Sequence, residues 1–201
     1  SLDGAGRFAR AASRLYEEAG ILYINAAGNE QQSYWSGRFT DTDGDGYHEF
    51  APDDQLLAVH WTAGQLLSLR LNWDDWGENP ELPGTDQDYD LYVWCPGTTV
   101  LTQDTACLAA TDFQQGQPAH QPLEELMAVA PVTGQYQVGV RRFSPGPANH
   151  RLRLLVQLCD AGGCDAPSME YRERSGTLSH PAEGRGVLAV GAFDAVRGDY
   201  E

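Results

Sequence analysis

Two short, nearly all-apolar runs far apart in the chain constrain its fold more than any other feature. The first is Ile21-Leu22-Tyr23-Ile24-Asn25-Ala26-Ala27. The second is Val187-Leu188-Ala189-Val190-Gly191-Ala192-Phe193. A strand that alternates apolar and polar residues sits on a sheet with one wet face. A strand without that alternation needs cover on both faces, as in a parallel sheet layered between helices. An amphipathic helix is expected ahead of the first run, over residues 3–19. Phe8, Ala12, Leu15, Tyr16 and Ala19 share one face, with Arg7, Arg10, Arg14, Glu17 and Glu18 on the others. Gly20 is a natural stop for it. The first apolar run ends at Gly28-Asn29-Glu30, and the second follows the loop Ser179-His180-Pro181-Ala182-Glu183-Gly184-Arg185-Gly186.

The region between these flanks is patterned differently. From about residue 47 to 175 the apolar residues recur with period two. Leu67, Leu69, Leu71 and Trp73 face one way, opposite Ser68, Arg70 and Asn72. Tyr136, Val138 and Val140 alternate with Gln135, Gln137, Gly139 and Arg141. Leu152, Leu154, Val156 and Leu158 alternate with Arg151, Arg153, Leu155 and Gln157. Gly77-Glu78-Asn79-Pro80, Pro83-Gly84, Pro96-Gly97 and Ser144-Pro145-Gly146-Pro147 punctuate the strands. Several half-buried strands with such turns predict an antiparallel β-sandwich or jelly roll. The chain is therefore expected to be mainly β, with the sandwich inserted between short α/β flanks. The flanks span residues 1–35 and 176–201, and the insert 36–175. An insertion explains the order better than two consecutive domains, because both flanks share one style.

Charge narrows the function. The chain carries 29 acidic against 13 basic residues, a formal charge of −16, and every basic side chain is arginine. Phosphate neutralisation needs a basic stripe, and none is visible, so nucleic acid is not an expected partner. The balance favours solubility and cation binding. No stretch approaches the roughly 20 apolar residues that cross a bilayer. Ser1-Leu2-Asp3-Gly4 is neither basic nor followed by an apolar run, so any targeting signal is expected to lie outside these residues.

Four cysteines fall in two close pairs. Cys159 and Cys164 bracket Asp-Ala-Gly-Gly, and Cys95 and Cys107 bracket a longer loop. Neither pair has the CxxC or neighbouring-histidine spacing of a zinc knuckle. Two local disulfides are expected, and with them an oxidising, secreted or extracellular setting.

Asp41-Thr42-Asp43-Gly44-Asp45-Gly46 has the alternating aspartates and the glycine of a calcium loop, which makes Asp41, Asp43 and Asp45 candidate calcium ligands. Position twelve holds Pro52 where an EF-hand has a bidentate glutamate; Glu49, at position nine, could partly compensate. The alternative is an acidic turn ahead of a strand. A second acidic group, Asp74, Asp75, Asp86, Asp88 and Asp90, would need two loops to converge, and capping of turns by these carboxylates is the favoured reading. Trp73 is expected in the core, whereas Trp76, Tyr92 and Trp94 could point outward as a binding platform.

The first apolar run with Ala26-Ala27-Gly28-Asn29 resembles a hallmark of the subtilisin-like serine protease family, an apolar strand ending in Ala-Ala-Gly-Asn. Ser179-His180-Pro181-Ala182 through Val187-Leu188-Ala189-Val190-Gly191-Ala192 resembles that family's following strand. The family normally separates the two by a few tens of residues; here the β-rich segment fills a far longer gap. The resemblance implies that the flanks belong to a subtilisin-like parallel sheet and that Asn29 lines an oxyanion hole. An amide donor aimed at the developing oxyanion stabilises the transition state, and loss of such an asparagine in that family costs about 2.7–4 kcal/mol.

No serine stands in Gly-Thr-Ser-Met/Ala, no histidine in His-Gly-Thr, and no aspartate in Asp-Ser/Thr-Gly. The triad is therefore expected outside this piece, which alone should be inert. Its implied partners are the remainder of the protease domain and a peptide or protein substrate. Leu71-Asn72-Trp73-Asp74-Asp75-Trp76-Gly77 with Asp86-Gln87-Asp88-Tyr89-Asp90-Leu91-Tyr92-Val93 is similar to peptidase-associated jelly rolls of the pre-peptidase C-terminal and convertase P type. That similarity implies an accessory for substrate handling or stability. The alternative function is a stand-alone extracellular module that binds glycan or protein.

Overall fold

A computed structural model describes residues 7–27, 33–76, 84–112, 121–144, 149–160, 163–165, 167–173, 182, 184–191, 193–194 and 199–200. Helix α1 spans Arg7–Ala19. It ends as the glycine predicts. Gly20 is left-handed at φ 66°, Gly20 N donates to Tyr16 O, and Ile21 N donates to Leu15 O, both at 3.1 Å. The Gly20 bond is that of the left-handed αL cap, and the two bonds satisfy carbonyls that the helix terminus would leave open.

Strands β1 (Tyr23–Ala26) and, far along the chain, β11 (Val187–Val190) pair in parallel, Tyr23 opposite Val187 and Ala26 opposite Val190. The helix meets them through small residues: Ala9 and Ala12 are buried, whereas Phe8, Leu15 and Tyr16 are exposed. That differs from the sequence expectation, in which these larger residues formed the buried face. Gly186 explains the close approach, since a β-carbon there would come within 2.5 Å of Tyr16 Cβ. The two apolar strands are parallel as expected but not buried. Ile21, Leu22, Tyr23, Ile24, Leu188 and Val190 are all exposed, because α1 alone among the described elements packs on the pair. Farther on, Phe193–Asp194 pairs antiparallel with Asp199–Tyr200.

Between β1 and β11 the chain forms eight main strands: β2 (Tyr34–Arg38), β3 (Leu57–Trp61), β4 (Leu66–Trp73), β5 (Tyr89–Trp94), β6 (Leu108–Ala110), β7 (Leu123–Val129), β8 (Gly134–Arg142) and β9 (Arg151–Asp160). A short β10 (Gly163–Asp165) extends the edge beside β9. The first of the eight pairs with the last, the second with the seventh, the third with the sixth and the fourth with the fifth, all antiparallel. That is a long hairpin rolled into two four-stranded sheets, β2-β9-β4-β7 and β3-β8-β5-β6, the topology of a jelly roll.

The period-two residues line the space between the sheets. Leu67, Leu69, Leu71, Leu152, Leu154 and Val156 from one sheet meet Leu57, Tyr89, Leu91, Val93, Tyr136, Val138 and Val140 from the other, and none is accessible to solvent. Each such side chain contributes roughly 1.5–3 kcal/mol relative to exposure. Trp61 packs on Tyr136 and Trp73 on Tyr89, with ring centroids 4.8 and 5.0 Å apart. Both buried indoles find acceptors: Trp61 Nε1 donates to Gln65 O and Trp73 Nε1 to Thr85 Oγ1, which removes the cost of burying an N–H.

Two disulfides tie the sandwich locally. Cys95–Cys107 closes the loop between β5 and β6, and Cys159–Cys164 joins opposed residues of β9 and β10. Among the described residues no helix is long and apolar enough to cross a membrane.

Candidate functional site

Asn29, the expected oxyanion donor, lies outside the described residues, as do Gly28 and Glu30. The described neighbourhood is the strand that leads to it. β1 ends at Ala26, and Ala27 N donates to Val190 O at 2.9 Å, so the parallel ladder continues to the last described residue before the Gly-Asn step. Ala27 therefore stands at the carboxyl end of a parallel strand, where open α/β sheets carry their sites.

The acidic loop 41–46 is folded tightly around its own carboxylates. Gly44 N and Gly46 N donate to the two oxygens of Asp41, at 2.7 and 3.1 Å. Asp45 N donates to Asp43 and Tyr47 N to Asp45. Gly44 and Gly46 take φ of 80° and 90°, values that glycine adopts without steric penalty. One carboxylate oxygen from each of Asp41, Asp43 and Asp45 lies within 4.8 Å of the others, so these three residues could hold a metal ion. Gln55 Nε2 reaches Asp43 and Asp45 at 3.3 and 3.1 Å, a neutral donor where a cation would compete.

Glu49 does not join them. Its Oε1 accepts from Thr42 N and Thr42 Oγ1 at 3.1 and 2.5 Å, so the ninth position braces the loop from behind. The loop forms one wall of a cleft of about 380 Å³, with Asp43, Asp45, Asp53, Asp54, Tyr47 and Trp94 among its lining.

The second acidic group divides. Asp74 Oδ1 accepts from Arg151 N, and Asp75 Oδ2 from Thr85 Oγ1 and Asp86 N; these bonds join separate loops instead of capping each carboxylate's own turn, so the loops carrying Asp75 and Asp86 do converge, against the favoured expectation. Asp88 is buried, and its N–H donates to Ser144 Oγ. Asp90 lies on the outer face of β5, yet it is also buried. Burial raises its carboxyl to about 6, against the hydrogen bond from Tyr92 OH, at 3.0 Å, which pulls it back.

Tyr92 and Trp94, expected to point outward for binding, point out of the sandwich core but are covered, at 5% and 1% exposure. Tyr47 packs on both rings, and the disulfide-closed loop caps them through Thr102 O, which accepts from Trp94 Nε1, and Gln103, which donates to Tyr92 OH. Trp76 is half-buried. Among the described residues, Tyr92 and Trp94 therefore form no open aromatic platform.

Sequence reasoning missed His48. It is buried among Trp35, Phe39 and Phe50, with ring centroids 4.8–5.5 Å away. Thr40 N donates to its Nδ1, and its Nε2 has no partner. Burial pulls its pKa down to about 4. Its position directly after the acidic loop reads as a turn residue, and nothing local announces the aromatic cage.

No protein-family model matches this chain, and no curated protein matches it in sequence. In fold it is similar to the CspB protease of Clostridium perfringens, with a TM-score of 0.53 at 12% identity. The alignment covers the whole of this chain and 41% of that one, so the chain spans less than half the length of the structure it matches.

Proposed function

We propose that this chain is a segment of a secreted subtilisin-like serine endopeptidase, carrying the oxyanion-hole asparagine and an inserted jelly roll. The observation that carries this reading is the parallel pair β1–β11. Two strands separated by the entire sandwich come together in register, with apolar side chains left exposed. A free-standing sandwich has no use for such a pair; a larger parallel sheet does. The fold likeness to a protease along the whole chain, flanks included, supports the same reading.

In this proposal the chain before β2 and residues 176–201 are catalytic-domain elements, and the insert runs from β2, whose start at Tyr34 moves the boundary expected at 35 back into the first flank, to residue 175. Asn29 donates to the oxyanion of the acyl-transfer intermediate, while nucleophile, base and orienting acid come from chain outside these residues. The jelly roll holds no triad of its own and serves substrate handling or stability. Its partners are the rest of the protease domain and a peptide or protein substrate. Asp41, Asp43 and Asp45 would hold calcium, a hard cation suited to carboxylate oxygens, with Gln55 yielding its place.

The coding sequence on either side tests the reading. Aspartate and histidine motifs upstream and Gly-Thr-Ser-Met/Ala downstream are the expected result. A stop soon after Glu201 with neither motif upstream would replace it with an extracellular binding module. In the intact enzyme Asn29→Ala should lower kcat by about 10²–10³ while leaving the fold in place. The 201-residue chain alone should be inert to peptides and to serine-directed probes.

A further inference from the structure

The loops at one end of the jelly roll bring together three side chains of mixed chemistry. Asp75 follows β4, Asp86 precedes β5, and His150 precedes β9. One ligand atom from each lies within 4.8 Å of the others. The topology makes this meeting. β4 and β9 are antiparallel neighbours with Trp73 opposite Leu152, so the exit of β4 adjoins the entry of β9. Trp73 in turn packs on Tyr89 at the start of β5, which draws in the third loop.

The donors are already oriented. Asp75 Oδ2 is held by Thr85 Oγ1 at 2.6 Å and Asp86 N at 2.9 Å, which fixes the carboxylate and leaves Oδ1 for another partner. His150 Nδ1 lies 3.3 Å from Tyr89 OH. A hydrogen bond on one ring nitrogen is how proteins fix the tautomer of a metal-binding histidine whose other nitrogen takes the ion.

Gln87 supplies an independent sign. It is 7% exposed, and its Nε2 donates to Asp86 Oδ1 at 2.8 Å. The oxygen of the same amide, held beside the same carboxylate, is buried without a hydrogen-bond partner. A buried amide oxygen without a donor is costly, and a cation at this cluster would satisfy it.

We propose that Asp75, Asp86, His150 and the Gln87 amide oxygen form a binding site for one divalent first-row metal ion, with zinc as its reference ion. The imidazole separates it from a calcium site, whose ligands are oxygens alone. Zinc contacts of about 2.0–2.2 Å require the side chains to close inward by a small movement. The ion would clasp the exits and entries of three strands, a structural role distinct from that of the acidic loop 41–46, which has no imidazole.

The test uses the 201-residue chain stripped with EDTA and titrated with Zn²⁺ in a calorimeter, with Co²⁺ absorption and Ca²⁺ titration in parallel. One Zn²⁺ should bind per chain and raise the unfolding midpoint. Affinity should fall at least about tenfold in both Asp86→Asn and His150→Gln, and stay unchanged in Asp43→Asn. Gln87→Leu should cost less than either. The His150 imidazole ¹⁵N resonances of the unsubstituted chain, assigned by their loss in His150→Gln, should shift on adding Zn²⁺; this readout holds even where a variant folds poorly. Absence of Zn²⁺ binding at about 100 times a micromolar Kd, an affinity left unchanged by Asp86→Asn or His150→Gln, a static His150 resonance, or Ca²⁺ taking the site in preference to Zn²⁺ would each overturn the proposal.

Discussion

The jelly roll and the β1–β11 pair both carry large apolar side chains on their strands, yet one closes on itself and the other does not. Leu67, Leu69 and Leu71 on β4 lose all exposure against the facing sheet, whereas Ile24 on β1 and Val190 on β11 remain 63% and 50% exposed. The difference is in the pattern, not the hydrophobicity. Alternation supplies one dry face per strand, and two such faces complete a sandwich. Uninterrupted apolar strands need cover on both sides, and with α1 packed beside them Ile24 and Val190 still stay exposed. The contrast teaches that alternating strands complete a core between themselves, while the described elements leave the apolar faces of the β1–β11 pair uncovered.

The sharpest way to break that contrast is truncation on each side. Trp73→Ala should destabilise the chain by ~3–5 kcal/mol through a core cavity, and Phe8→Ala in the flank by less than about 0.5 kcal/mol. Comparable losses in urea unfolding would mean that the two regions form one core. Next in size is the Cys95–Cys107 crosslink, which spans 12 residues. Replacing both cysteines by serine should cost ~2–4 kcal/mol. The Cys159–Cys164 pair, spanning 5, should cost less, by the weaker constraint that a shorter loop places on the unfolded chain.

The pH dependence of the insert sharpens the comparison further, because the flanks should not share it. Asp90 is raised by burial from 3.8 to about 6. The folded chain therefore holds that proton more tightly, and its contribution to stability is lost as pH rises from about 4 to about 6. His48 is lowered by burial from 6.5 to about 4. Its contribution is complete above about 6.5 and lost as pH falls towards 4. The slopes oppose each other, each on the order of 2–3 kcal/mol over its window. Asp90→Asn should unmask a stability that climbs with pH between 4 and 6.5; a curve unchanged by the substitution would show that Asp90 does not hold its proton as described.

Calcium comes next. At ten times its Kd it should stabilise the stripped chain by about 1.4 kcal/mol, an effect that Asp43→Asn abolishes; identical midpoints with and without calcium would remove the ion from the 41–46 loop. The smallest effect is expected at the flank. Ile24→Asp should change the stability of this chain by less than about 0.5 kcal/mol and reduce any self-association seen by light scattering. In the larger parallel sheet of the proposed protease the same charge would be buried, and the loss there should reach several kcal/mol.

The boundary between legible and illegible follows range. Strand assignments were readable because the two-residue repeat is a local property: Leu152, Leu154 and Val156 announce a buried face without reference to anything else. The helix stop at Gly20 and the two disulfides are equally local. The burial of Tyr92 and Trp94 was not readable, since their cover comes from Tyr47 and from a loop held by Cys95 and Cys107. The exposed face of α1 was misjudged for a related reason. Its pattern marks an apolar stripe, but which residues are buried depends on the approach that Gly186 permits under Tyr16.

The sequence by itself determined the elements, the division into two styles, and the placement of Asn29 beyond an apolar strand, all of which rest on neighbours a few residues apart. Tertiary structure alone decided the rolled pairing of first strand with last, the inward turn of Glu49 to Thr42, the aromatic cage around His48, and the meeting of Asp75, Asp86 and His150. Those depend on which strands become neighbours. That choice is made by the collective burial of two sheet faces and leaves no periodic mark on the chain.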